Sequence, residues 1–497
     1  MSLSAAYSIL NSAFLSNSAQ SAVISSNISN VSTPGYSREI ANVVTTADGG
    51  SEVASITREA SSALLEQVNV ATSQSAADQA LSDGLATLAA TVSDSSSSSS
   101  SSGSNVNGGS PSAMLGQLQD ALTTYQDSPS SAAAADAAVA AAKNVASSLN
   151  TGSSTAQQVR EQADSQMATD VSTVNSLLNQ FSDVDQEIIA APAGSSDVDN
   201  YENTRDSLLT QISKYVGVSA SANPNGSMSV YTDSGVELYQ NGVVNQLSFT
   251  ASPALPSGAS GNAVTVNGAA ITGASAPFAT QTGELAGLTK LRDVVVPQYQ
   301  TQLDQIASGV INAFAESDQS GTGQPSEPGL FTYSGATGLP SSSSATGLAA
   351  AIEVNSAVDP YQGGDATLLR DGGINGSDYV YNKTGAASYT DRIAGMISAT
   401  DSTQTFDASA GLKTSDTLSD YASSSVSWLQ TQNQSASDSA DYQSSLLTQA
   451  TSALSNATGV NLDTELTNML SIENSYTTTA KLLTTIDTMF TTLLNAV

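Results

Sequence analysis

The sequence predicts a mainly α-helical chain with an inserted β-rich region: a long helical rod, coiled-coil termini and a small antiparallel β outer domain. Three observations predict it. Apolar residues recur at steps of three and four at both ends of the chain. The same spacing recurs over long stretches between Ser62 and Ile188 and between Thr417 and Ser455. From Val216 the period changes to two, around the hairpin dipeptide Asn241-Gly242.

At the N-terminal end the stripe is Leu3, Tyr7, Leu10, Phe14, Asn17, Ser21, Ile24, Ile28 and Val31. Asn17 and Ser21 interrupt it, and a polar residue at a seam more often fixes register than adds stability. No residue from Met1 to Ser37 is charged, which suits burial in an assembly better than a monomer's surface. Two ordinary amphipathic helices of one globular domain are the plainer alternative. Thr33-Pro34-Gly35-Tyr36 then ends the helix in a turn, proline presetting one residue and glycine supplying a positive φ.

Glu39–Val44 and Glu52–Thr57 read as short strands around Asp48-Gly49-Gly50. A helix follows from Ser62 to Val92, then an unbroken serine run, 95–102, that reads as linker. Helix resumes at Pro111, with Leu115, Leu118, Leu122 and Tyr125 as its stripe. Ala132–Asn150 is alanine-rich, Gly152 predicts a break, and Val159 to Ile188 marks a further long helix ending before Pro192.

The β-rich part comprises Met228–Tyr231, Val236–Tyr239, Val243–Phe249 and Val264–Val266, with Asn267-Gly268 as a second hairpin turn. Gly283 opens a helix that is interrupted or restarted at Pro297 and carries Leu303, Ile306, Val310 and Phe314. Residues 321–344 read as loop, Ala350–Asn355 as a strand, and 359–416 give no pattern. After the helix from Thr417, Gly459 breaks the chain and Asn461 caps a last helix, whose first turn carries Asp463 and Glu465. Its stripe is Met469, Ile472, Tyr476, Thr479, Leu483, Ile486, Phe490, Leu493 and Val497.

The totals narrow the function. Among 497 residues, 45 acidic against 13 basic give a formal charge of −32, which argues against nucleic acid and anionic membranes. Cysteine and histidine are both absent, removing thiolate chemistry, the Ser-His-Asp arrangement and the commonest general base. Asp183-x-Asp185 and Asp197-x-Asp199 invite a metal, yet neither continues into a calcium loop. No run approaches the ~18 apolar residues of a membrane span, and no Sec-type leader is expected. A structural chain is expected over an enzyme.

The run Asn27-Ile28-Ser29-Asn30-Val31-Ser32-Thr33-Pro34-Gly35-Tyr36-Ser37-Arg38 resembles the N-terminal signature of the bacterial flagellar rod, hook and hook-associated axial family. Asn27, Asn30, Pro34, Gly35, Tyr36 and Arg38 form that signature turn. Gly459-Val460-Asn461-Leu462-Asp463-Thr464-Glu465-Leu466, followed by Tyr476, Ala480 and Leu493-Leu494, is similar to the family's C-terminal signature. Asn175–Leu178, Asn203–Leu209 and Gly283–Phe314 resemble its hook-associated branch, and Pro34-Gly35-Tyr36-Ser37-Arg38 resembles the members that sit between hook and filament.

The resemblance implies discontinuous domains. Residues 1–37 and 459–497 would pair as an inner coiled coil, 38–200 and 401–458 would form the rod, and 201–400, including helix 285–316, the outer β-rich part. It implies an assembly interface on Leu3, Tyr7, Leu10, Phe14, Ile24, Ile28 and Val31 of one helix. On the other it implies Met469, Ile472, Tyr476, Leu483, Ile486, Phe490 and Leu493. It also implies export through the flagellar type III channel to a hook–filament junction, with no cofactor. The implied partners are hook protein, hook-associated protein 3, further copies in a ring, and an export chaperone on the C-terminal helix. Alternatives are hook protein or another axial protein and, from a different class, a secreted helical-stalk adhesin.

Overall fold

The structure is a computed structural model that describes residues 3–33, 35–93, 109–191, 196–341 and 345–495. Met1, Pro34, the serine run 95–102, Pro192 and Val497 lie outside the described residues.

The chain begins with α1 (Leu3–Ser29), then an antiparallel ribbon of β1 (Glu39–Thr45) and β2 (Ser51–Arg58), then α2 (Ser62–Ala89). α3 (Pro111–Asp127) starts on a Ser110 cap whose hydroxyl accepts from the Ala113 amide. α4 (Ala132–Ala190) is one uninterrupted helix of 59 residues, about 90 Å long at 1.5 Å per residue. The expected break at Gly152 is absent. A Cβ at Gly152 would stand 3.1 Å from Leu303 Cδ1, so glycine serves close helix approach there and not termination. Gly152→Leu should overpack this crossing and destabilise the chain by about 1–3 kcal/mol, read as a lower midpoint in chemical denaturation.

α5 (Ser196–Tyr215) turns back along α4 and leads into two small antiparallel sheets. One holds β3 (Val218–Ala222), β4 (Met228–Thr232), β5 (Glu237–Gln240) and β6 (Val243–Val244) as a meander. The other holds β7 (Leu247–Ser248), β8 (Thr265–Val266) and β9 (Ala269–Ala270). Both Asn-Gly turns have the positive φ pair of a type I′ hairpin, 50° then 80° at Asn241-Gly242 and at Asn267-Gly268. These sheets are not a detached outer domain. The rings of Phe181 and Tyr239 meet edge-on at 5.2 Å, and Leu247, Val264, Val266 and Ile271 are buried in the same core as α4. The buried Arg160 donates from α4 to the carbonyls of Leu255, Pro256 and Ala259.

α6 (Glu284–Lys290) runs through a π-helical turn, Leu291–Val295, into α7 (Val296–Ala313). Pro297 has no amide to give, and the wider turn absorbs the loss without ending the helix. The Arg292 carbonyl within that turn accepts from Arg160 Nε at 3.0 Å. α7 is buried on nearly every side between α4 and the helix Leu418–Thr458, so it sits within the bundle and not with the β-rich part.

Residues 316–417 contribute β10 (Phe331–Tyr333), α8 (Leu348–Ala351), β11 (Ile352–Val354), α9 (Leu368–Asp371), α10 (Asp391–Thr400), β12 (Thr403–Thr405) and β13 (Ser415–Thr417). Of the stretch expected as a strand over 350–355, residues 352–354 are strand and 350–351 are the end of α8. α11 (Leu418–Thr458) lies along α2, and Phe406 stacks on its Tyr421 at 3.8 Å. α12 (Leu462–Asn495) closes the described chain. The Asn461 side chain accepts from the Thr464 amide at 3.1 Å, the expected cap.

Candidate assembly site where the chain ends meet

α1 and α12 lie antiparallel. The rings of Phe14 and Tyr476 are 4.4 Å apart, Asn17 Nδ2 donates to Ser475 Oγ at 3.0 Å, and the Ser21 hydroxyl approaches Met469 Sδ at 3.8 Å. The sequence-predicted stripes do face one another, but cover each other only in part. Ile24 is buried; Leu3, Leu10, Phe14, Ile28, Met469, Ile472, Leu483, Ile486 and Phe490 are half-buried. Tyr7, Val31, Tyr476 and Leu493 are exposed, Leu493 at 63%. The polar interruptions Asn17 and Thr479 are better buried than most apolar members of the seam.

Sequence reasoning missed exposed apolar residues on both flanks of the α12 stripe: Leu466 and Leu470 on one and, as an outer row, Leu482 and Met489 on the other. The exposed Leu462 extends the stripe itself, one heptad before Met469, and α1 adds the exposed Leu15. A scan for one seam passes over the flanking residues.

The signature turn ties this helical pair to the bundle. Asn27 is wholly buried and brackets Glu39: its Nδ2 donates to the Glu39 carbonyl and its Oδ1 accepts from the Glu39 amide, both at 2.9 Å. Tyr36 Oη donates to the same Oδ1 at 3.0 Å. Asn30 Nδ2 donates to the Ser26 carbonyl and its Oδ1 accepts from Thr33, while Gly35 takes φ 78°. Arg38 then joins the two signatures. Its amide donates to the Thr458 carbonyl at 2.8 Å and its Nε to Glu465 Oε1 at 2.6 Å. That hydrogen bond to Glu465 holds the guanidinium above its ordinary pKa, against the opposing effect of burial.

One strand over, Arg58 is paired in register with Glu39 and reaches α5, donating to Glu202 at 2.7 Å, Asp206 at 2.6 Å and Asn203 Oδ1 at 3.2 Å. The cluster is built for holding elements together. Its arginines are bound to carboxylates, and no group of three metal-ligating side chains occurs among the described residues. The Asp183-x-Asp185 pair is divided by its helix. Asp183 is exposed, while Asp185 is buried on Arg205, Tyr239 Oη and the Met228 amide.

Mainly helical, with a paired-end arm carrying uncovered apolar surface, the chain has the build of a structural protein. Residues 104–331 match the family described as "Flagellar hook-associated protein FlgK helical domain". Residues 452–496 match "Flagellar basal body rod FlgEFG protein C-terminal". By these two matches the chain is similar to flagellar hook-associated and rod proteins, which are structural components of the flagellum.

A curated relative is "Flagellar hook-associated protein 1" of Escherichia coli (strain K12), 24% identical over 331 residues. The alignment covers 63% of this chain and 57% of the relative, so the chain spans little more than half of that protein's length. A solved structure, "The structure of the flagellar hook junction protein FlgK from Burkholderia pseudomallei", is 21% identical. It covers 54% of this chain and 46% of that one, at a TM-score of 0.41. No described helix is long and apolar enough to cross a membrane.

Proposed function

We propose that this chain is a non-enzymatic hook–filament junction subunit, exported by the flagellar type III route and built into a ring between hook and filament. The observation that carries the reading is the arm: two terminal signatures meet at one buried cluster, and the helices they anchor leave apolar faces uncovered. A ring of copies would bury those faces, with α1 and α12 inward and the bundle outside. Pro34-Gly35-Tyr36-Ser37-Arg38 favours the junction over hook protein, its nearest rival. Hook protein on one side, hook-associated protein 3 on the other and a chaperone on α12 before export are the partners this reading assigns. A helical-stalk adhesin has no use for two extreme ends of one chain paired as an apolar arm.

Immunogold labelling of purified flagella tests the placement. Label confined to the hook–filament boundary is expected; label along the hook, or at the cell surface away from flagella, would overturn it. The isolated chain should be monomeric, because a two-helix pair with half-covered seams is only marginally stable. Hydrogen exchange in α1 and α12 should be at least about 100-fold faster than in the buried positions of α4. Equal protection would mean that the arm is complete without neighbours.

A further inference from the structure

The root of the ribbon brings together three buried side chains that each keep one polar atom without a partner. Glu39, Asp199 and Asn203 are each more than nine-tenths buried. Glu39 Oε1, Asp199 Oδ2 and Asn203 Nδ2 all lack a hydrogen-bond partner. Glu39 sits on β1, on the arm side. Asp199 and Asn203 lie one turn apart on α5, on the bundle side, and the Arg58 amide, in register with Glu39, faces Asp199.

The neighbouring charges leave this pair uncompensated. From the signature turn Arg38 is committed to Glu465 and Glu59, and from β2 Arg58 to Glu202 and Asp206. On α5 Arg205 is committed to Asp185, with Glu202 beyond. α1 contributes only the neutral Asn27, and Tyr36 is the other titratable group nearby. Two buried carboxylates on opposite sides of one root, whose nearest cation, Arg58, is already bound to Glu202 and Asp206, repel when both are ionised.

We propose that Glu39 and Asp199 act as a proton-operated catch between the terminal arm and the helical bundle. With one proton between them the buried oxygens are satisfied and the ribbon lies closed on α5. When both ionise, the catch opens and the arm swings more freely about the root.

The sign follows from burial, which pushes both carboxyls upward, with mutual repulsion adding at Glu39. A carboxyl raised in the folded state favours the protonated form there. Its hold is complete below the ordinary carboxylate range and is lost as pH rises through the raised value.

The chain has no cysteine, so spin labels on cysteines introduced at Val44 of the ribbon and Gln211 of α5, both exposed, report the catch without background. In the soluble full-length chain, one narrow distance is expected at about pH 4.5, with a second, broader population growing at least about tenfold by about pH 8. Glu39→Gln and Asp199→Asn should each hold the narrow distance across that range. Asp170→Asn is the control, because Asp170, pushed up to about 7 by burial in α4, titrates in the same interval. It should leave the response intact. A pH-independent wild type, a Glu39→Gln chain that tracks the wild type, or loss of the response in Asp170→Asn would each overturn the proposal. None of these outcomes depends on where the protein sits in the flagellum.

Discussion

A chain carrying Leu483→Asp should melt like the wild type and yet leave cells without filaments. Leu483 is half-buried on the α1 side of α12, in a pair that contributes little to the bundle's own core. In the isolated chain the aspartate can turn to water as the arm breathes, so the bundle's melting temperature should not move. In a ring the same carboxylate would be enclosed between α1 and neighbouring copies. A buried unpaired charge costs at least about several kcal/mol, repeated in every subunit. Hooks without filaments and flagellin shed into the medium are therefore expected. Leu482→Asp, on the exposed outer row, should be milder because its charge can reach the rim of any contact. Equal loss of motility from the two substitutions would show that the seam does not distinguish the two faces of α12.

Arg38→Ala should have the second largest effect, and this one appears in the soluble chain. It strands Glu465, whose side chain is 1% exposed and which takes its charge-assisted hydrogen bond from Arg38. Removing one partner of a buried pair costs about 3–5 kcal/mol, and the lower end applies because Arg38 itself keeps some contact with water. Hydrogen exchange should rise in the first turn of α12 and along β1. The double change Arg38→Ala with Glu465→Ala should recover much of the loss, since the stranded carboxylate is then gone. If the double variant is as loose as the single one, the backbone bond to Thr458 and not the ion pair holds the hinge.

What the sequence discloses here follows the range of the physics behind each signal. The helix start at Pro111, the Asn461 cap and the Asn-Gly hairpins are local, and each is found where the pattern puts it. Gly152 misleads because its local preference is overridden by Leu303 from a distant helix. Pro297 does mark the restart expected there, but the π-helical turn before it, supported from outside by Arg160, leaves no local signal. The meeting of Arg38 with Glu465 spans most of the chain, and no local pattern could couple two charged residues so far apart. Residues 359–416 resist reading because their order is imposed by single buried acceptors. The fully buried Glu316, for instance, accepts from the amides of Gly373, Ile374 and Asn375, which fixes a loop that has no periodicity to detect.

The partnership of α2 with α11 bears on when this protein can fold at all. The helix that covers Ser62–Ala89, Leu418–Thr458, is made only after α3 to α10 and all the sheets between them. Closing so long a loop is entropically slow, and contacts of high sequence separation delay the rate-limiting step. α1 waits longer still, for α12. α2 therefore lacks its cover until α11 has been made, and anything that sequesters α12 leaves α1 uncovered. Timing, as much as stability, is written into which helices were made neighbours.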